Sequence, residues 1–360
     1  MANQGEKSDL NDESELQGRS RHQVIGLIAG PLLATLMLLA DPPAGLTAAG
    51  WATAAATVWM ATWWATEAVP IAVTALLPIA CFPMLDIVNI VDATAPYANK
   101  VIYLFLGGFV VAFAMQRWNL HRRIALNILQ HVGGSGRLLV GGFLFSSALI
   151  SMWVMNTSTT MMLTPVAISV IGVIHASIRE LDDRGREDFL YALLLAVAYG
   201  ATIGGMTTLV GTLPNAMLAA FMLESYGTTI NFADWMMVGV PLAIVILPII
   251  WIVLTRWVFD VSFKTSGEGR AELRRLRDEL GDIRTPEIRI AIVAAVMIVA
   301  WVGRPLWIQL PGLAALDDTI IAIAGAVAMF VIPSGDKEDS LLLRWEYAER
   351  LPWGVILLFG

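Results

Sequence analysis

Long apolar runs separated by short polar stretches set the pattern of this chain. They cover residues 24–40, 48–66, 70–85, 101–116, 138–178, 189–222, 236–257, 290–309 and 319–333. A helix needs about 20 mainly apolar residues to cross hydrocarbon, so the pattern predicts an all-α polytopic membrane protein. Two runs are too long for one crossing. Residues 138–178 suit two antiparallel arms, and 189–222 is interrupted by Gly200, Gly204, Gly205, Gly211 and Pro214. The run 70–85 is short and carries Pro70, Pro78 and Pro83, so its limits are soft.

Basic residues give the crossings a direction, because cytoplasmic loops collect Lys and Arg. Place the N-terminus inside and let 138–178 return to the side it entered from. The inner segments are then 1–23, 117–137, 179–188, 256–289 and 334–350, which hold 21 of the 23 basic residues. Only Lys100 and Arg304 fall outside. A single crossing at 138–178 would send the later clusters to the wrong side, whereas a re-entrant hairpin or two full spans both satisfy the count. The expectation is a multi-pass protein of the cytoplasmic (inner) membrane with a cytoplasmic N-terminus.

Composition agrees. Hydrophobic residues are 57%, charged residues 15%, and mean hydropathy is +0.68, too apolar for a water-soluble shell. A net charge of -7 and a pI near 5.2 argue against a nucleic-acid partner. The single cysteine, Cys81, excludes an intrachain disulfide framework or a thiolate zinc site. The histidines His22, His121, His131 and His175 lack HExxH spacing, and no acid–base pair at membrane depth supports an intramembrane enzyme.

The chain divides into a disordered cytoplasmic tail (1–23), transmembrane helices (24–116) and a cytoplasmic interfacial helix (117–137). A re-entrant hairpin and broken helix follow (138–222), then an outer loop and transmembrane helix (223–257) and a cytoplasmic amphipathic helix (258–289). Transmembrane helices with a cytoplasmic loop (290–350) lead to a short closing segment (351–360). The basic residues around Arg117–Arg123 and over 264–285 read as lipid anchors, and the tryptophans as interfacial belts. Glu67 reads as a turn cap, Asp317 and Asp318 as helix caps, and Gly133-Gly134-Ser135-Gly136 as a turn without the Lys-Ser/Thr ending of a phosphate loop.

Two stretches carry polarity that hydrocarbon makes expensive. Ser151-Met152-Trp153-Val154-Met155-Asn156-Thr157-Ser158-Thr159-Thr160 lies midway along the first overlong run, with five consecutive uncharged polar side chains. This reads as a hairpin tip, with a helix start whose free N–H groups favour an anion. The second, Gly200 to Asn215, is rich in glycine and threonine and holds Pro214. Carbonyls freed by unwinding there are hard oxygen ligands, suited to a small cation. Paired broken helices point to a transporter's midplane site.

These residues resemble the divalent anion/sodium symporter (DASS) family. Ser151-Met152-Trp153 with Asn156-Thr157 and Thr159-Thr160-Met161-Met162-Leu163 is similar to that family's first Ser-Asn-Thr hairpin. Gly204-Gly205-Met206, Leu209-Val210-Gly211-Thr212 and Pro214-Asn215 are similar to its first unwound helix. Thr66-Glu67-Ala68-Val69-Pro70, Ala95-Pro96-Tyr97-Ala98-Asn99 and Met115-Gln116-Arg117-Trp118-Asn119-Leu120 also resemble family text. The resemblance implies an inverted-repeat, elevator-type, homodimeric carrier of di- or tricarboxylates driven by sodium ions. It assigns a sodium site to Ser151, Asn156 and backbone oxygen near Gly204, and substrate contacts to Asn156 and Thr157. The expected substrate is a C4-dicarboxylate of the succinate, malate or fumarate class, with sulfate or citrate left open.

The sequence departs from the family at two places. Met155 stands where the Ser-Asn-Thr triplet begins with serine, and a thioether is a poor ligand for a hard cation. An exchanger that needs no sodium is therefore the alternative within transport, and a non-transporting membrane subunit the alternative of another class. Leu357-Leu358-Phe359-Gly360 echoes Leu104-Phe105-Leu106-Gly107, so a second inverted repeat is expected to start there. The expectation is a sequence truncated before that repeat, which 360 residues alone would not replace in transport.

Overall fold

The computed structural model describes residues 19–132, 134–177, 182–264, 267–336, 339–349, 351 and 353–358. The tail expected over the first residues lies mostly outside that set. Regular structure among the described residues is helical. In chain order the helices are α1 (Arg21–Leu39), α2 (Ala48–Thr66), α3 (Ile71–Thr74), α4 (Leu77–Met84), α5 (Ile90–Thr94) and α6 (Lys100–Arg117). Next come α7 (Leu120–Leu129), α8 (Gly136–Ser151), α9 (Asn156–Ser177), α10 (Asp183–Met206), α11 (Leu213–Tyr226) and α12 (Phe232–Ile252). A π-helical turn (Val253–Val258) extends α12, and α13 (Glu268–Asp278), α14 (Thr285–Trp307), α15 (Asp318–Val331), α16 (Trp345–Ala348) and α17 (Trp353–Leu358) complete the order.

Six helical stretches among the described residues are long and apolar enough to cross a membrane: Arg21–Leu39, Ile90–Arg117, Asn156–Ala176, Asp183–Met206, Phe232–Val258 and Thr285–Trp307. The protein is an all-α, multi-pass membrane protein. Helix α2 covers the expected run 48–66 but stands outside that set, because alanine, threonine and tryptophan dominate it. Its threonines stay compatible with an apolar setting by bonding back one turn. Thr53, Thr57, Thr62 and Thr66 donate to the carbonyls of Ala49, Thr53, Val58 and Thr62 at 2.8, 2.8, 2.7 and 2.7 Å.

The chain forms two compact units. The first takes in residues 1–102 and 352–360. In it α1 offers a stripe of small buried residues, Gly26, Gly30 and Ala34, to α2. Gly26 meets Thr66, Gly30 meets Trp59 and Trp63, and the Trp51 indole donates to the Met37 carbonyl at 2.7 Å. Numbering rises on one helix as it falls on the other, so the pair is antiparallel.

The second unit spans Tyr103–Leu351, and α10 runs through its core. Three contacts climb α8 and α10 together: Leu144 meets Gly200, Ala148 meets Gly204, and the Met152 carbonyl accepts from Thr208 Oγ1 at 2.6 Å. Each step is four residues on both chains, so α8 and α10 lie parallel. Helix α9, which joins the end of α8 to the start of α10, therefore runs back, and α8 and α9 form a hairpin. The backbones touch: a Cβ at Gly200 or Gly204 would overlap the carbonyl of Leu144 or Ala148. Small residues make such packing possible where no hydrophobic force drives helices together.

Three sequence expectations change in this unit. Arg123 is no lipid anchor. It is buried, pairs with buried Glu287, and donates to the carbonyls of Leu280, Gly281 and Asp282 at 3.1, 2.8 and 3.1 Å. The guanidinium thus caps the turn that leads into α14. The apolar face of α13, with Leu273 and Leu276, is covered by protein, including Ile174 of α9. Glu272 on that helix accepts from Ser169 at 2.5 Å, and with Arg275 as its main partner its carboxyl is lowered to about 2. A lowered value stabilises the docked helix above the ordinary carboxylate pKa, and the effect is lost as pH falls toward 2. Asp317 caps α15 through the Thr319 amide at 3.0 Å, but Asp318 caps α12 instead, accepting from the Phe232 amide at 2.8 Å. In the first unit Glu67 closes α2 through its backbone, in the left-handed region at φ 48°.

The α8–α10 contact gives a direct prediction. Gly204→Ala places a methyl group against the Ala148 carbonyl and is expected to cost about 1–3 kcal/mol. Gly172→Ala, where a Cβ meets nothing within 4 Å, is expected to be neutral or stabilising. Thermal unfolding of the two variants in detergent checks this, with equal midpoints as the contrary result.

Candidate functional site

Both interruptions of regular structure fall at the same level of the second unit. The hairpin turns over Met152–Met155, and α10 ends at Met206 and resumes as α11 at Leu213. The parallel register of α8 and α10 brings these two breaks together. Ser151, the last residue of α8, is fully buried, and its hydroxyl donates to Asn156 Oδ1 at 2.7 Å with the Val154 carbonyl 3.4 Å away. Asn156 opens α9, and its amide oxygen rests on Gly205, where any Cβ would overlap it. Ser151, Asn156 and the Gly204–Gly205 backbone are thus neighbours. Thr157 stands exposed beside Asn156, and Gly204 itself faces Ala148.

A helix that ends inside a membrane protein leaves carbonyls that need partners. Here side chains supply them. The Gly204 carbonyl accepts from Thr207 Oγ1 at 2.6 Å, Gly205 from Asn215 Nδ2 at 3.0 Å, and Met206 from the Trp235 indole at 2.9 Å. Asn215 also donates to Thr208 O at 2.7 Å, and the Thr208 hydroxyl accepts from the Gly211 amide at 3.0 Å. Thr208 also donates to Met152 O, so it ties the hairpin tip to the broken helix. Thr208 and Asn215 had no role of their own assigned from sequence, and Trp235 was expected only in an interfacial belt. The signal for Thr208 is its place on the Gly200–Gly204 face, a further four residues on.

The tip is braced from its other side by stacked rings. Trp153 stacks on Phe232 at 6.1 Å and Phe232 on Trp301 at 4.5 Å, and the Trp301 indole donates to the Asp318 carbonyl at 3.0 Å. Arg304 completes this anchor, bonding Asn231 Oδ1 at 2.6 Å and lying 3.3 Å from Asp318. An apolar cavity of about 280 Å³ opens next to the tip, lined by Leu149, Ile150, Trp153, Val210, His121 and parts of α6 and α14. Apart from His121 its lining is apolar, which separates it from the polar contact.

The chemistry of the contact is that of neutral oxygen. No charged residue lies between Arg137 and His175 or between Asp188 and Glu224. Ser151 Oγ, Asn156 Oδ1 and the Val154, Gly204 and Gly205 carbonyls are hard donors that fit a small monovalent cation. The Gly204 carbonyl already accepts from both the amide and the hydroxyl of Thr207, at 3.0 and 2.6 Å, so the Gly205 carbonyl, which accepts from Asn215, is the one of the two that keeps a lone pair for it. Thr159 Oγ1, one turn into α9, is buried with no hydrogen-bond partner among the described residues. Met155 is half-buried at the tip and contributes its carbonyl to the Thr159 amide at 3.0 Å.

A hairpin tip set against an interrupted helix, with uncharged polar groups at the junction and apolar helices around it, is an arrangement suited to membrane transport. The family of the sodium:sulfate symporter transmembrane region matches residues 21–360, and the chain belongs to that family. It is 39% identical over 357 residues to the sodium-dependent dicarboxylate transporter SdcS of Staphylococcus saprophyticus, covering 98% of this chain and 68% of the relative. SdcS of Staphylococcus aureus strain MW2 is 38% identical over 345 residues, with 95% and 66% covered. The chain therefore spans about two thirds of the length of these relatives.

Thr208→Val removes the hydroxyl that joins the tip to the broken helix and leaves the Met152 carbonyl without its donor. It is expected to lower stability by about 1–3 kcal/mol, with Thr208→Ser close to wild type. Denaturation in detergent distinguishes them, and a valine variant as stable as the serine variant would contradict the tie.

Proposed function

We propose that the protein is a sodium-coupled carrier of a C4-dicarboxylate of the succinate, malate or fumarate class, working across the cytoplasmic membrane by an elevator-type movement. In this reading it is a homodimer with its N-terminus in the cytoplasm. Sodium is held by Ser151, Asn156 and backbone oxygen at Gly204–Gly205, and a substrate carboxylate by Asn156 and Thr157. The observation that carries the reading is the meeting of Ser151, Asn156 and the Gly204–Gly205 backbone at two helix breaks. The names of the relatives, the family resemblance and the basic-residue bias support the rest.

The electrostatics follow from the absence of charge. A dicarboxylate entering a site without Lys, Arg or His needs positive potential from elsewhere. Sodium supplies a full charge, and the start of α9 adds the partial charge of its free N–H groups. The cation meets only neutral oxygens, so it binds weakly until the anion arrives. Mutual dependence of the two affinities is the physical basis of coupling. A second reading, an exchanger that needs no sodium, draws on Met155, whose thioether adds nothing for a hard cation.

Radiolabelled succinate uptake into proteoliposomes holding the full-length protein, with inward sodium against potassium or choline, separates the readings. Accumulation only with sodium is expected, and uptake that ignores sodium but requires internal succinate would overturn the proposal in favour of exchange. Asn156→Ala is expected to reduce uptake at least about a hundredfold, since it removes an oxygen shared by cation and anion. Met155→Ser is expected to lower the sodium concentration needed for half-maximal uptake. Sodium dependence is expected to change little from about pH 5.5 to about pH 8.5, because no protein group at the site titrates there.

A further inference from the structure

We propose that a pocket between the ends of α8, α10 and α12 binds a phosphate group, carried by the headgroup of an anionic membrane phospholipid. The cavity measures about 540 Å³ and lies in the second unit, apart from the Ser151–Asn156 junction. Three arginines line it from three elements: Arg137 in the first turn of α8, Arg184 in the first turn of α10, and Arg256 in the π-helical turn after α12. Trp257, also in the lining, is 78% exposed, so its ring is available to lipid at the level of the guanidiniums.

The formal charges of the lining balance, three guanidiniums against three carboxylates, so the hydrogen-bond inventory decides which groups remain open to a ligand. Asp182, Asp188 and Asp260 share the lining, and each already serves the protein. Asp182 accepts from the Gly185 amide at 2.8 Å, Asp188 from the Asp260 amide at 3.0 Å, and Asp260 from the Ser262 amide and hydroxyl at 3.2 and 2.6 Å. No described group accepts a hydrogen bond from the guanidinium of Arg137, Arg184 or Arg256, and Arg137 Nε is withdrawn from solvent without a partner. The carboxylates keep their charge, with Asp260 close enough to Arg137 to feel it, but their acceptor sites are engaged by backbone and hydroxyl donors, while the guanidinium donors lining the polar cavity remain unengaged. A guanidinium fork matches phosphate oxygens in pairs, which makes phosphate the chemistry that fits.

Position chooses the carrier of that phosphate. The pocket sits at helix ends on the side where the basic residues gather, which the charge bias assigns to the inner leaflet. Basic pockets between transmembrane helices on that side recruit anionic headgroups. The wall is held in shape: the Trp251 indole donates to the Arg137 carbonyl at 2.8 Å, and the Thr255 hydroxyl to the Trp251 carbonyl at 2.6 Å. The π-helical turn re-aims Arg256 and Trp257 relative to a regular helix. A lipid bound there would touch the entrances of α8 and α10, the two helices whose far ends form the junction.

Native mass spectrometry of the protein in detergent, titrated with phosphatidylglycerol, diacylglycerol or inorganic phosphate, tests the assignment. Wild type is expected to retain phosphatidylglycerol in preference to diacylglycerol, which has the same tails and no phosphate. The triple variant Arg137→Gln, Arg184→Gln, Arg256→Gln is expected to lose that preference. Arg256→Gln alone, at an exposed side chain that the fold does not need, is expected to weaken retention about fivefold. Arg274→Gln, an exposed arginine outside the pocket, is expected to change nothing. Equal retention by wild type and Arg256→Gln, or equal weakening by Arg274→Gln, would overturn the site. Uptake of inorganic phosphate in place of the lipid would overturn the lipid assignment.

Discussion

The contact between the backbones of α8 and α10 is the constraint on which the site depends. Gly200 and Gly204 let the two helices approach until carbonyl oxygens of one rest on Cα atoms of the other. That closeness fixes a parallel register, and the register puts the end of α8 level with the end of α10. Both helices stop there, and each stop leaves backbone groups that water would satisfy in a soluble protein. The residues that follow, Thr207, Thr208 and Asn215 on one side and Ser151 and Asn156 on the other, satisfy them with uncharged oxygen and nitrogen. The polar junction is thus the consequence of ending two helices side by side in an apolar setting.

Neutrality has its own consequence. A carboxylate at this depth would bind a cation tightly and hold it, and an arginine would do the same for an anion. A junction of hydroxyls, amides and carbonyls binds neither strongly alone. In the proposed reading cation and dianion each supply what the other lacks, so each binds weakly until the other arrives. The ring stack from Trp153 through Phe232 to Trp301, tied to Asp318 and Arg304, holds the tip in position without adding charge to it.

Helix identity and the two breaks were legible in the sequence because both depend on local composition. Runs of apolar residues of the right length gave α1, α6, α9, α10, α12 and α14. The polar run after Ser151 marked one stop, but of the glycines expected to interrupt the second run only Gly211 lies in its break, since Gly200, Gly204 and Gly205 are inside α10, where Gly200 and Gly204 serve packing. Pairings over long distances were not legible. Arg123 and Glu287 are 164 positions apart, and a buried arginine reads in sequence like any interfacial one. Asp318 sits at a helix start and looks like its own helix's cap, yet serves the start of α12. Trp235 could be placed in an aromatic belt by composition, while its bond to the Met206 carbonyl follows only from the packing of α12 over the break.

The most direct test of the central claim, that the paired breaks form a cation-dependent site, is cysteine protection at the tip. Ser158→Cys in a Cys81→Ala background places one thiol two residues beyond Asn156, half-buried beside the junction. The rate of its alkylation in membranes is measured in sodium, potassium and choline at equal ionic strength. The account predicts slower alkylation in sodium alone, and loss of that protection when Asn156→Ala is added. Identical rates in all three salts would contradict it.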